Sequence, residues 1–142
     1  MFGWMIISEA DIEQISNLAE VLQRESIDAA IDDDGDLVAT VEGTKVVVHV
    51  SEDVKLLAYM AFFSFTNAIS LERKYEFVNR LNNEYMLARF SIGKQDPTLL
   101  LAEYYFPYEG GLTPVQIVTS MRHFAEATQY TLEVCDVDDW VG

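Results

Sequence analysis

Three or four extended runs lie between Ile27 and Phe65, and the turns joining them are too short to hold a crossover. Strands joined in that way must pair antiparallel, which restricts the fold more than any other feature of this chain. Ile27, Ala29 and Ile31 alternate with polar residues, Asp32 to Asp36 reverse the chain, and Leu37, Ala39 and Val41 alternate again. Glu42-Gly43-Thr44 forms a short turn in which glycine is free to take a positive φ. Lys45 to Val50 is rich in valine, which suits a pleated surface. After Ser51-Glu52-Asp53, residues 55–65 read as one long strand. Leu57, Tyr59, Ala61, Phe63 and Phe65 share one face; Leu56, Ala58, Met60 and Phe62 share the other, so burial on both sides is expected. A hairpin follows later: Tyr85 to Gly93 leads up, Lys94 to Pro97 turns, and Thr98 to Pro107 returns.

Helical periodicity marks three other segments. In the first, Ser8 caps, and Ile12, Ile15, Leu18, Ala19 and Leu22 fall on one side. In the second, Ser70 caps a predicted buried stripe of Leu71, Tyr75, Val78, Leu81 and Tyr85, with Arg73, Lys74 and Arg80 turned away. The third has the clearest start. Thr113, Pro114 and Gln116 supply an N-cap, a proline at the first helical position and a capping-box partner, ahead of Ile117, Val118, Met121, Phe124 and Ala125. The expected fold is therefore α+β: an antiparallel sheet of five to six strands packed with three helices, in the order α-β-β-β(-β)-α-β-β-α. With 142 residues, half of them apolar, a single domain over 1–142 can bury roughly 70% of its unfolded surface and needs no metal or disulfide to fold. Residues 131–142 read as an acidic tail carrying Asp136, Asp138, Asp139 and Trp140.

Charge excludes several roles. The formal net charge is −15, and residues 1–53 hold 13 acids against Arg24 and Lys45. Such a field repels phosphate backbones and anionic lipid and attracts basic partners, so no nucleic-acid or membrane role is expected. Cys135 is the only cysteine, so no disulfide can close within the chain. Met1 to Ile7 is apolar but has no basic flank, unlike a signal peptide, and the run Leu56 to Phe63 is far too short to span a bilayer. The cytoplasm is the expected compartment.

Reactive groupings are sparse, and no catalytic residue, metal site or cofactor is expected. Asp32-Asp33-Asp34-Gly35-Asp36 invites a calcium-loop reading, but Ala30 and Val41 stand where ligands are required, so a solvated turn is preferred. His49 and His123 have no ligand partners at suitable spacing, and Cys135 lacks neighbours that would activate it. Glu103, in an aromatic strand, reads as an ion-pair partner of Arg89 rather than a general base. The aromatic residues are more informative. Tyr59, Phe62, Phe63 and Phe65 lie on one strand, and Tyr104, Tyr105, Phe106 and Tyr108 on another. They are either core or a face held open for a second subunit or a client.

Several stretches in this order resemble the YbjN-like family of bacterial proteins, putative sensory-transduction regulators. They are the Asp34-Gly35-Asp36 and Gly43 turns, Phe62-Phe63 ending the long strand, Val78-Asn79-Arg80-Leu81-Asn82, Ala88-Arg89-Phe90, and Gly111-Leu112-Thr113. The pattern departs at Leu81, where family members often carry an aromatic. The resemblance implies a fold similar to that of type III secretion chaperones, a homodimer and a non-enzymatic role. The expected function is a chaperone-like or regulatory module that captures a segment of a partner protein; a small-molecule sensor with its ligand between sheet and helices is the alternative. Partner-binding candidates are Tyr59, Phe62, Phe63, Phe65, Tyr104, Phe106 and Tyr108, with Asn79 and Asn82. The asparagines have a rival reading as groups that hydrogen-bond the adjacent hairpin, since Asn is a poor helix former.

Overall fold

A computed structural model describes residues 5–66, 68–85, 87–136 and 140–141. The strands are β1 (Asp28–Ile31), β2 (Leu37–Val41), β3 (Thr44–Ser51), β4 (Leu56–Ser64), β5 (Arg89–Ile92) and β6 (Leu99–Pro107). They form one antiparallel sheet in the order β1-β2-β3-β4-β6-β5, as the short turns required. Four helices appear among the described residues: α1 (Glu9–Ile12), α2 (Ile15–Arg24), α3 (Leu71–Glu84) and α4 (Pro114–Cys135). The expected α+β order is present, with its first helix divided in two. Gln14 takes an extended conformation (φ −101°, ψ 105°) and separates α1 from α2.

The turns are built as the residues suggest. Asp32 accepts the backbone N–H groups of Asp34 (3.0 Å) and Asp36 (2.9 Å) through Oδ1, while Gly35 takes φ +85°. This is a hairpin turn whose lead carboxylate is occupied by its own backbone. Glu42 and Gly43 both have positive φ (50° and 79°), the arrangement of a two-residue turn that matches strand twist.

Burial divides the sheet. On the inner face, Leu37, Ala39, Val46, Leu57, Tyr59, Ala61, Leu100 and Ala102 join Ile12, Leu18, Leu22, Phe77, Leu81, Ile117, Met121 and Phe124 in one apolar cluster. Alternate strand residues point away from the helices. Leu56 and Met60 are half-buried, and Phe62 is 45% exposed. The expectation of burial on both sides of β4 is thus corrected: the described helices cover one face, and on the other only Ala58 is buried.

The α3 stripe is also corrected. Leu81 and Tyr85 are buried as expected and Val78 is half-buried, but Leu71 and Tyr75 are exposed, and Lys74 and Phe77 are buried in their place. Lys74 lies along the inner face because its ammonium donates to the Pro97 carbonyl (2.5 Å) and sits 4.8 Å from the Phe65 ring centroid. A long stem can bury while its charge finds a partner. α4 begins as predicted: Thr113 Oγ1 accepts from Gln116 N (3.1 Å), and Gln116 Oε1 accepts from Thr113 N (2.8 Å). It continues to Cys135, so residues 131–135 are helix rather than tail, with Thr131 and Cys135 buried. Beyond it, Trp140 packs edge-on against Phe77 (5.7 Å), and its carbonyl accepts from Thr66 N (2.7 Å). Asp138 and Asp139 of the expected tail, and Met1 to Trp4, lie outside the described residues.

Candidate partner-binding cleft

The aromatics of β6 alternate between the two faces. Tyr104 and Phe106 point inward, toward α4, and stack on each other with centroids 5.5 Å apart. Behind them stands Tyr59, 5.2 Å from Phe106, 6.2 Å from Tyr104 and 6.0 Å from Phe124. Tyr59 is fully buried; its hydroxyl donates to the Ile117 carbonyl (3.0 Å) and lies 2.8 Å from Ser120 Oγ. Burial pushes this phenol well above its ordinary range, so it is a locked, neutral group.

Tyr104 and Phe106 are only half-buried because α4 does not roof them completely. Together with Leu87, Val115, Gln116 and His123 they line a cleft of about 510 Å³ between the end of β6 and the first half of α4, open to solvent. Leu87 and Val115 on its rim are 49% and 54% exposed. Such a space accepts apolar side chains over an aromatic floor, with polar groups along one wall for orientation.

The other candidates are dispersed. Tyr108 is fully buried and donates to Glu13 Oε2 (2.5 Å), which also receives Lys55 Nζ (2.6 Å). The Lys55 bond holds the Glu13 carboxyl below its usual range, and the same bond raises Lys55 to about 12; burial raises Tyr108 to about 12. This cluster ties α1 to the β3–β4 turn and the segment after β6, and it holds Lys55 at φ 55°, an uncommon value for lysine. Phe63 and Phe65 are half-buried on the inner side. Phe62 lies on the open face, away from the cleft.

Asn79 is exposed on α3. Asn82 bonds the backbone of Phe90 twice: its Oδ1 accepts from Phe90 N (2.7 Å) and its Nδ2 donates to Phe90 O (3.0 Å). The hairpin-bonding reading therefore holds for Asn82. On the opposite outermost strand, Gln23 Nε2 donates to Ala29 O (2.8 Å). Side-chain amides thus engage both outermost strands, a common defence against unwanted strand addition. Glu103 pairs with Arg89 (3.6 Å) and accepts from the Tyr105 hydroxyl, as the ion-pair reading had it. Among the described residues no cluster of His, Cys, Asp or Glu converges to hold a metal ion. His49 is exposed on the open face, and burial raises the Cys135 thiol above its ordinary value.

Sequence reasoning missed Leu87 and Val115. Val115 carried a usable signal, being an apolar residue outside the α4 stripe. Leu87 carried none, since its place depends on how α3 hands the chain to β5.

These features define the class: an α+β protein with a six-stranded antiparallel sheet, helices on one face, and aromatic rings left partly uncovered beside the last helix. Residues 14–136 match the YbjN family, described as "Putative bacterial sensory transduction regulator", and the chain belongs to that family. In overall shape it is similar to the crystal structure of YbjN from E. coli, a putative transcription regulator, with TM-score 0.74 and 9% identity over 97% of this chain and 99% of that one. An uncharacterized protein from Methanothermobacter thermautotrophicus is similar at TM-score 0.59 and 14% identity, over 89% of this chain and 96% of that one. At these identities the likeness is one of fold. No curated protein matches at a significant level. Among the described residues no helix is long and apolar enough to cross a membrane.

Proposed function

We propose that this protein is a non-enzymatic regulatory module that works as a cytoplasmic homodimer and binds a segment of another protein in the cleft beside α4. The observation that carries this reading is the half-covered Tyr104–Phe106 pair under a rim of exposed Leu87 and Val115. Apolar rings at the mouth of an open cleft lose water contact when a partner's side chains enter. The family's description as a regulator agrees with it. The net charge of −15 speeds approach of a basic segment, while the apolar cleft supplies the hold.

A photo-crosslinking amino acid at Val115 tests this in the native host. One partner protein should be captured at Val115 and lost when Phe106→Asp is added, while the same probe at Glu72 on α3 captures nothing. Equal labelling at both positions would refute the cleft as the binding site.

The sensor alternative keeps one supporting observation. A volume of about 510 Å³ suits a small ligand, and Gln116, Thr119, Ser120 and His123 line one wall. Asn79 and Glu103 lie outside this cleft and offer such a ligand nothing. A small molecule retained in native mass spectrometry of the freshly isolated protein, and lost with Phe106→Asp, would favour the sensor.

A further inference from the structure

No helix among the described residues covers the outer face of the sheet, yet it is not a polar surface. Ala58, Val47, Met60 and Leu101 are buried or half-buried there by their strand neighbours, and Phe62 and Tyr105 stand 45% and 41% exposed. Charge is distributed just as unevenly. Among the described residues of this face Asp28 and Glu103 are balanced by Lys45 and Arg89, so these strand residues carry no formal net charge. Glu103 is already served by Arg89 and by the Tyr105 hydroxyl, so covering it leaves no bare carboxylate.

We infer that this face is where two copies of the chain join, a step that rests on the dimeric part of the reading above. Two copies of a strongly acidic molecule repel least where they meet across a surface of no net charge, and a basic client gains least from the field at that same surface. The size fits. Six strands about 4.8 Å apart and up to nine residues long give a footprint on the order of 700 Å², near the roughly 800 Å² each partner gives to a standard interface. The flanks are self-complementary as well. Asp28 lies on β1 and Arg89 on β5, the two outermost strands. A two-fold axis running along the strands sets β5 of one copy over β1 of the other, with Arg89 level with Ala30 of the second copy and Asp28 two residues further along the same side of that strand.

Light scattering of the full chain tests the face. The unaltered protein should have twice the chain mass. Phe62→Lys should raise the dissociation constant about a hundredfold, by burying a charge at the centre, with the far-ultraviolet spectrum unchanged. A dimer that Phe62→Lys leaves intact, but that Tyr75→Lys on α3 splits, overturns this face and keeps the dimeric reading. An unaltered protein that stays monomeric overturns both. Mixing Asp28→Cys protein with Arg89→Cys protein tests the orientation. A short bismaleimide should join the two in the mixture and neither one alone, since Cys135 is buried. Rapid crosslinking of the Asp28→Cys protein by itself overturns the two-fold along the strands.

Discussion

Strand β4 shows two different surfaces within nine residues. On its inner side Leu57, Tyr59 and Ala61 have no solvent exposure; on its outer side Ala58 is buried, Leu56 and Met60 are half-buried, and Phe62 is 45% exposed. The residue types on the two sides are nearly interchangeable. What differs is what lies opposite: α4 and its hydrogen bond to Tyr59 on one side, and on the other no helix among the described residues. Apolar composition tells where a surface could be buried, and only the assembly tells whether it is.

The comparison fails if the inner side proves tolerant. Tyr59→Ala should cost about 3–5 kcal/mol, because it removes a fully buried ring and leaves a cavity among Tyr104, Phe106 and Phe124. Denaturant unfolding measures it. A loss below about 1 kcal/mol would mean that the helices do not hold the inner face as described.

Next in size is the link that ties α3 to the sheet. Asn82→Ala removes both hydrogen bonds to the Phe90 backbone and should cost about 2 kcal/mol. Hydrogen exchange should quicken at Phe90 and its neighbours in β5 while β2 and β3 keep their protection. Uniform quickening over the whole sheet would show that β5 does not open by itself.

The family resemblance brought the asparagine pair to notice, but only the placement of α3 separated its members, since Asn79 faces solvent and Asn82 faces β5. Other features were legible for local reasons. The Thr113–Gln116 capping box and the Asp32 turn depend on neighbours three or four residues away, and both formed as read. The α3 stripe was misread because two apolar lines run along that helix. One passes through Leu71 and Tyr75, the other through Phe77 and Leu81, and the expected stripe mixed the two, keeping Leu81 and Tyr85 but turning Lys74 away. The carbonyl of Pro97 that makes Lys74 acceptable there is 23 residues away. The cleft was illegible for the same reason, as it exists only where α4 stops short of covering β6.

A smaller effect separates the clamp beneath α1 from both faces of β4. Glu13 has a folded-state pKa below its ordinary value, so its contribution is fully present above about 4.5 and is lost as pH falls through the lowered folded value. Glu13→Gln should flatten the acid limb of the stability curve in that window. Lys55 and Tyr108 are both raised to about 12, so their contributions last through neutral pH and are lost as pH climbs from about 10 through 12. An acid limb identical in Glu13→Gln and the unaltered protein would show that the clamp adds nothing to folding.

The smallest effect on the folded chain is also the one that sharpens the comparison most. Phe62→Ala removes a ring that is nearly half exposed, so a dilute, monomeric sample should lose only about 1 kcal/mol. Association adds stability by mass action, so the unaltered protein's unfolding midpoint should rise with protein concentration. The Phe62→Ala midpoint should rise far less, because the outer face has lost its central ring. The Tyr59→Ala protein, destabilised from inside, should keep the full concentration dependence while unfolding at lower denaturant throughout. Parallel shifts in all three proteins would make the two sides of β4 equivalent and remove the distinction between them.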